Sequence, residues 1–249
     1  QVVDNITPYL TTGKNIIVQP SSMPISALPE MVYGNMAIDG GHLLLSPMEK
    51  KELISKYPVM KRLIKRVYGA EEFIRGIERW CLWISDDDLE EVLQIPEVAH
   101  RIEACAKSRL KSSDPGTHKL AKKAHQFREF KTCKTNSLIV PTVSSENRDY
   151  IPIGFLTRDD IIIAPNQAIY DPEFWVMGIL CSKMHNVWVR AVGGRMRTDI
   201  RYSNVLCYNT FPLPTLTNSQ KEALGNHVIN VISEREHHSE KTFGELYNP

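Results

Sequence analysis

The chain has 249 residues, a formal net charge of +1, 42% hydrophobic residues and 24% charged residues. This composition excludes wholesale disorder, and no apolar run approaches the roughly 18 residues that a membrane-spanning helix needs. A net charge near zero also argues against a strongly basic nucleic-acid binder, provided that the charge is evenly spread.

The start of the chain and its cysteines indicate the cellular setting. The sequence begins at Gln1 without a basic start and an apolar stretch, so we expect a segment of a longer cytoplasmic protein. Its five cysteines form no CxxC pair, which favours free thiols. Cys181 and His185 are four residues apart and could share a helix face as metal ligands. Buried packing is the commoner role, and no second pair completes the site, so we expect no metal.

Short strands and helices are predicted in the first part of the chain. Apolar runs at 15–18, 42–45 and 79–84 predict strands, with a turn at 39–41. Ser46, Pro47 and Glu49 form an N-cap signature that predicts a helix to about Lys56. Pro58 predicts a second helix over 59–67, and a short helical segment is expected over 71–78.

A basic stretch follows an acidic one in the middle of the chain. Residues 86–97 hold six acidic side chains and no basic one, whereas residues 101–134 hold ten Lys/Arg against three Asp/Glu, a local charge of +7. We predict a helix over 97–111 and a break at 112–117. Such a block is commonly a solvated face, but its length and single sign favour phosphate contact equally. The candidates for phosphate contact are Lys119, Lys122 and Lys123.

The remaining sequence is richer in strands. Apolar runs at 138–141, 151–155, 160–164 and 167–170 predict strands, and the apolar segment 174–192 predicts one helix. A terminal helix is expected over 220–236, followed by a polar tail. We therefore predict an α+β fold: a helical N-terminal and middle part, a strand-rich recognition part and a C-terminal helix.

Residues 194–204 alternate in character, which in a single strand places polar and packing side chains on opposite faces. Arginine pairs with the two acceptors of guanine, and aspartate accepts from the amino group of cytosine. Such a row is suited to reading DNA bases, but it equally fits a solvated sheet surface or a salt-bridge ladder. The polar face consists of Arg195, Arg197, Asp199, Arg201 and Ser203.

A second polar cluster occupies residues 144–150. Its side chains are able to contact phosphates, although an ordinary turn with local hydrogen bonds is an equal alternative. With Arg190, the candidates for contact with the DNA backbone are Ser144, Ser145, Asn147, Arg148 and Tyr150.

Other function classes are less well supported. The sequence has no glycine-rich phosphate loop, GxSxG elbow or HExxH pair, so no catalytic residue is assigned. A small-molecule enzyme would have to use scattered residues such as Cys181, His185 or His42. An RNA-binding module would expose aromatic side chains on a sheet, but the tryptophans lie among apolar residues. A partner-docking domain, with the basic block facing an acidic protein, stays open.

Several stretches together resemble the target-recognition region of MmeI-like DNA methyltransferases, which are single-chain restriction–modification enzymes. The resemblance runs in order from about residue 5 to residue 216. The stretches that carry it are 29–34, 39–45, 69–74, 79–83, 143–155, 182–190, 194–203 and 208–212.

The resemblance implies a division of labour. This chain would recognise double-stranded DNA, and an adenine methyltransferase domain of the same parent chain would bind S-adenosylmethionine. No cofactor is implied for this chain itself. The resemblance places the DNA target-recognition domain over 1–216, with a helical insertion at about 46–134, and leaves 217–249 as a C-terminal helix and polar tail.

The resemblance also implies roles for single residues. The positions matched by Arg197 and Asp199 would act as an oppositely charged pair that reads one base pair. From the hydrogen-bonding groups of these side chains, Arg197 would donate to guanine and Asp199 would accept from the paired cytosine. Arg201 would read an adjacent position, and Asn166 is a weaker candidate.

Overall fold

A computed structural model describes residue 6 and residues 17–248, and within them the predicted α+β fold is confirmed. The strands are β1 (Val32–Tyr33), β2 (Leu44–Leu45), β3 (Ile64–Tyr68), β4 (Trp80–Leu82), β5 (Asn136–Val140), β6 (Val143–Ser144), β7 (Gly154–Thr157), β8 (Asp160–Ile162), β9 (Gln167–Tyr170), β10 (Gly194–Met196) and β11 (Asp199–Arg201). The helices are α1 (Pro47–Lys56), α2 (Met60–Leu63), α3 (Ala70–Arg75), α4 (Leu89–Leu93), α5 (Pro96–Leu110), α6 (Pro115–Leu120), α7 (Phe174–Leu180), α8 (Lys183–Val192), α9 (Asn218–His237) and α10 (Phe243–Tyr247).

The chain divides into two compact units that alternate along the sequence. Unit 1 comprises the described residues up to Val32, Asn136–Phe155 and the chain from Gln167 onward. Unit 2 comprises Tyr33–Thr135 and Leu156–Asn166. The predicted boundary at residue 216 stays a prediction.

Unit 2 is built on a four-stranded sheet in the order β2-β4-β3-β8, in which β8 runs parallel to β3 and the other neighbours are antiparallel. Helix α1 begins as predicted, because the Ser46 side chain and Glu49 form a reciprocal capping box with Pro47 at the first position. The core of unit 2 includes Leu43, Leu82, Val92, Val98 and Phe127.

Unit 1 contains the sheet β10-β11-β6 and the central strands β9 and β5 of a second sheet, whose order is β1-β9-β5-β7. Strands β5 and β9 pair antiparallel, with Leu138 opposite Ile169, and both side chains are buried. The core joins these strands to α7, α8 and the segment after β11, through residues such as Trp175, Val189 and Tyr208. Helix α9 begins at the Thr217 cap and packs on α7.

Two predicted helices are wrong in extent. Residues 59–67 form the short helix α2 and then β3, because β3 is hydrogen-bonded to β4 on one side and to β8 on the other. Residues 174–192 form two helices, because Ser182 is extended and its side chain accepts a hydrogen bond from the His185 amide, which starts α8. Of the predicted strand 15–18, residues 15–16 lie outside the described residues and 17–18 form no strand.

Arg109 is a buried structural hub of unit 2, although it belongs to the basic stretch. Its side chain is 2% exposed, and all five of its N–H groups donate to backbone carbonyls at 2.6–3.0 Å. The guanidinium thus joins α5 to the turn before β2 and to the segment after α6. Its carbonyl partners are Ala37, Ile38, Leu120, Lys123 and Gln126.

We expect Arg109→Met to lower the free energy of unfolding by at least about 3 kcal/mol, because several buried carbonyls lose their donor together. Urea denaturation measures the effect. Lys111→Met, at an exposed position just after α5, is the matched control. Equal stabilities of the two variants would contradict the role of Arg109.

Candidate nucleic-acid interface

Residues 194–201 form a β-hairpin, so the single strand predicted over 194–204 is wrong. Strands β10 and β11 pair antiparallel, with Met196 opposite Asp199 and Gly194 opposite Arg201. Arg197 and Thr198 are the two residues of the turn. Neither is glycine or asparagine, so the sequence carries no ordinary signal for a tight hairpin turn here.

The hairpin changes which side chains share a face. Residues directly opposite each other in an antiparallel pair lie on the same side, which places Met196 with Asp199 and Arg201 on one face. Arg195 lies opposite Ile200 on the other face. The predicted polar row of five residues on one face is therefore wrong, although the base-reading role of its members stays a prediction.

The second arm of the hairpin keeps the predicted alternation. Ile200 and Tyr202 are each 2% exposed and belong to the core of unit 1, whereas Met196 is 48% exposed. The arm is anchored by these two side chains, and Arg201 between them is exposed. The guanidinium groups of Arg197 and Arg201 form no hydrogen bond or ion pair with any described residue. Both are available to a ligand.

Arg197 adopts a backbone conformation that is unfavourable for its residue type. Its φ is +59°, in the left-handed region that costs a side chain with a Cβ roughly 1–2 kcal/mol. A positive φ at the first turn residue suits the twist of a two-residue hairpin, where glycine is the usual choice. Strain of this kind in an exposed arginine points to a role for the side chain outside folding.

The loop 145–150 lies beside Asp199. Strand β6, just before the loop, pairs with β11, with Ser144 opposite Ile200. The Glu146 amide donates to Asp199 Oδ1 at 3.4 Å. Partial burial lowers the pKa of Arg148, and the nearby Asp199 carboxylate opposes that shift. The two segments that the sequence analysis singled out thus meet around one carboxylate.

Two further arginines hold this arrangement together. The Arg190 guanidinium donates to the carbonyls of Glu146, at 3.3 Å, and of Arg148. Arg195 donates to the Arg190 carbonyl at 3.2 Å, in the last turn of α8, where a cation is favourable. Arg190, predicted to contact phosphate, therefore braces the loop, and Arg195 ties the hairpin to α8.

Two predicted contact residues are inaccessible. Asn166 is 0% exposed and donates to the Ile163 carbonyl at 3.2 Å, and Ser144 is 3% exposed. Both assignments are corrected, because neither side chain reaches solvent. The other polar residues of the loop remain accessible: Asn147 and Tyr150 are exposed, and Ser145 and Arg148 are half-buried.

The basic stretch 101–134 belongs to unit 2. Many of its basic side chains form hydrogen bonds or ion pairs with other residues of that unit. Arg101 donates to the carbonyls of His42 and Leu44 and pairs with Glu49. Lys123 pairs with Asp86 at 2.7 Å. Lys119 and Lys122 are exposed, and neither forms an ion pair with a described residue.

His185 and Cys181 have neighbours other than a metal. His185 Nε2 and the Tyr202 hydroxyl share a hydrogen bond of 3.0 Å, and burial lowers the pKa of His185 to about 3. Burial raises the pKa of the Cys181 thiol to about 11, and Arg235 opposes this shift. Within the described part of the chain, no group of three or more His, Cys, Asp or Glu side chains is placed to hold a metal ion.

The exposed arginines of the hairpin and the polar loop beside it fit one class of protein, a nucleic-acid recognition domain. The family described as "MmeI, target recognition domain" matches residues 12–215, and this chain belongs to that family. The resemblance found in the sequence is confirmed.

Two relatives are informative. The chain is 43% identical over 249 residues to DNA methyltransferase A of Bacillus subtilis (strain 168), covering 100% of this chain and 28% of that protein. A solved structure of the type IIL restriction–modification enzyme MmeI in complex with DNA matches with a TM-score of 0.93 and 37% identity. That match covers 99% of this chain and 33% of the MmeI chain. Among the described residues, no helix is long and apolar enough to cross a membrane.

We expect Arg197→Gly to be more stable than Arg197→Ala by about 1 kcal/mol, because only glycine adopts the positive φ of the turn without a steric penalty. Both variants lack the guanidinium, so the comparison isolates the backbone. Urea denaturation gives the difference. An alanine variant as stable as the glycine variant would contradict the turn geometry.

Stability should also depend on pH through His185. The folded-state pKa of about 3 lies below the usual value of 6.5, so the unfolded chain binds the proton more readily. The free energy of unfolding therefore falls as pH drops through this window, by up to about 1.4 kcal/mol per pH unit from this group.

Denaturation between pH 7 and pH 4 should be less pH-dependent in His185→Gln than in the parent. His227→Gln, which removes an exposed histidine from α9, is the control. An unaltered pH profile in His185→Gln would count against the buried neutral imidazole.

Proposed function

We propose that this chain recognises a specific sequence in double-stranded DNA on behalf of a larger DNA methyltransferase of the restriction–modification type. The observation that carries the proposal is the hairpin: its strained turn exposes Arg197, and Asp199 and Arg201 follow on the anchored arm. Family membership and the likeness to an enzyme solved with DNA support it.

The hairpin has the shape and chemistry for the major groove. A two-stranded ribbon fits this groove, where each base pair presents a distinct set of donors and acceptors. Arg197, at the turn, donates to guanine, and Asp199 accepts from the paired cytosine. Arg201 reads a neighbouring position. Arg195 lies on the other face of the hairpin and is bonded to the Arg190 carbonyl, so it has a smaller part in base reading. Ser203 lies beyond the end of β11 and is half-buried, and its part is smaller for that reason.

Contacts with the DNA backbone come from the accessible residues of the loop, and unit 2 adds exposed lysines. Such contacts fix the register of a protein on DNA without reading sequence. They also make binding depend steeply on salt, since each neutralised phosphate releases counterions. We assign this role to Ser145, Asn147, Arg148, Tyr150, Lys119 and Lys122, whereas Lys123 is already paired with Asp86.

The catalytic step belongs to a part of the parent protein outside this chain. We propose that a methyltransferase domain of the same chain binds S-adenosylmethionine and methylates an adenine in the recognised sequence. Enzymes that modify a base take it out of the stack, and the recognition domain would hold the duplex while this happens. The chain spans about a third or less of the two relatives, which supports such a division. We place the enzyme in the cytoplasm.

We expect Arg197→Ala to change the preferred sequence at one base pair, by about 1–3 kcal/mol of discrimination. Selection from a random duplex pool by the whole protein, followed by affinity measurement at two salt concentrations, gives both the preference and the salt slope. Lys122→Ala is the matched control, because it should weaken all sequences alike and lower the salt slope by about one. An unchanged sequence preference in Arg197→Ala would show that the hairpin does not read bases through Arg197.

A further inference from the structure

The last described residues form a helical segment that sequence patterning did not predict. The tail after α9 was expected to be only polar, and it lies beyond residues 12–215 that match the family. Yet α10 is a capped helix, in which the Thr242 side chain and Glu245 form a reciprocal capping box. A helix of only five residues is not stable by itself, so contacts beyond its own cap must hold it in place.

Arg235 of α9 holds α10 in place. Its guanidinium lies over the rings of Phe243 and Tyr247, at 5.0 and 5.3 Å, and donates to the Tyr247 hydroxyl. Cation–π contacts of this geometry are favourable, the more so when partly desolvated. Burial also raises the pKa of Tyr247, so its hydroxyl stays neutral. The helix is therefore fixed on α9, which itself packs on α7 through Val228.

Asn248, directly after α10, reaches the candidate interface. Its backbone N–H donates to the Gly244 carbonyl, which fixes the residue at the end of the helix. Its side-chain Oδ1 accepts a hydrogen bond of 2.8 Å from Nε of Arg148. One end of unit 1 thus touches a loop residue a hundred positions earlier in the chain.

The contact leaves the binding end of Arg148 free. Neither terminal nitrogen of its guanidinium has a hydrogen bond or ion pair with a described residue, while its carbonyl is held by Arg190. A guanidinium fixed at Nε presents its two outer nitrogens in one direction, the geometry that binds a phosphate bidentately. Fixing it in advance lowers the entropy lost when the phosphate binds.

We propose that Asn248 is a positioning residue for Arg148, and that α10 exists to place it. The bound group is a phosphate of the DNA backbone. This inference rests on the proposed function, and it makes the C-terminal segment part of the DNA interface even though it lies outside the family match.

The test uses the whole protein that carries this chain, with the duplex it selects and a scrambled duplex. We expect Asn248→Ala to weaken binding to both duplexes about threefold to tenfold, with an unchanged preference between them. Asn248→Gln keeps an amide acceptor and should recover most of the affinity. Asn230→Ala, at an exposed position on α9, should bind as the parent does.

A double-mutant cycle separates positioning from general destabilisation. Arg148→Ala should weaken binding and lower the salt slope by about one, and adding Asn248→Ala should then cause no further loss. Equal losses from Asn248→Ala with and without Arg148 would overturn the inference, as would full affinity in Asn248→Ala or in Arg148→Ala. Failure of the parent protein to bind any duplex would instead overturn the proposed function, and this inference with it.

Discussion

The interface depends on the burial of two alternate side chains in β11 and the residue after it. Ile200 and Tyr202 are inserted into the core of unit 1, and burial of such side chains is worth about 1.5–3 kcal/mol each. Because side chains alternate along a strand, this anchoring forces Arg201 outward. The turn at Arg197 then projects from a fixed arm, so its guanidinium is presented in a defined place. The hydrogen bond between His185 and Tyr202 links the same arm to α8.

The polar part of the interface is coupled around Asp199. Its carboxylate accepts from the Glu146 amide and lies near Arg148, so loop and hairpin share one charged centre. The Arg190 guanidinium donates hydrogen bonds to two loop carbonyls, and Arg195 links the hairpin to α8 by donating to the Arg190 carbonyl. Of the arginines at positions 190, 195, 197 and 201, the first two are therefore braces and the last two face outward. Composition alone treats these roles as equivalent, although physically they are different.

Sequence reasoning succeeded where a local rule fixes the structure. The Ser46 cap, the helices α5 and α9 and most strands follow from capping and apolar patterning. It failed where tertiary contacts decide. Pairing on both edges turned residues 64–68 into a strand, and a turn without glycine broke the alternation at Arg197. The burial of Asn166 and the reach of Asn248 to Arg148 had no local signal, because both depend on segments distant in the chain.

The most direct measurement is a structure of the whole protein bound to the duplex it selects. If the hairpin 194–201 reads the sequence, it lies in the major groove of that complex, with the Arg197 guanidinium within about 3.2 Å of a base acceptor. Asp199 should face the amino group of the paired base. A duplex held elsewhere on the domain, with Arg197 in solvent, would contradict the central claim that this hairpin reads the sequence.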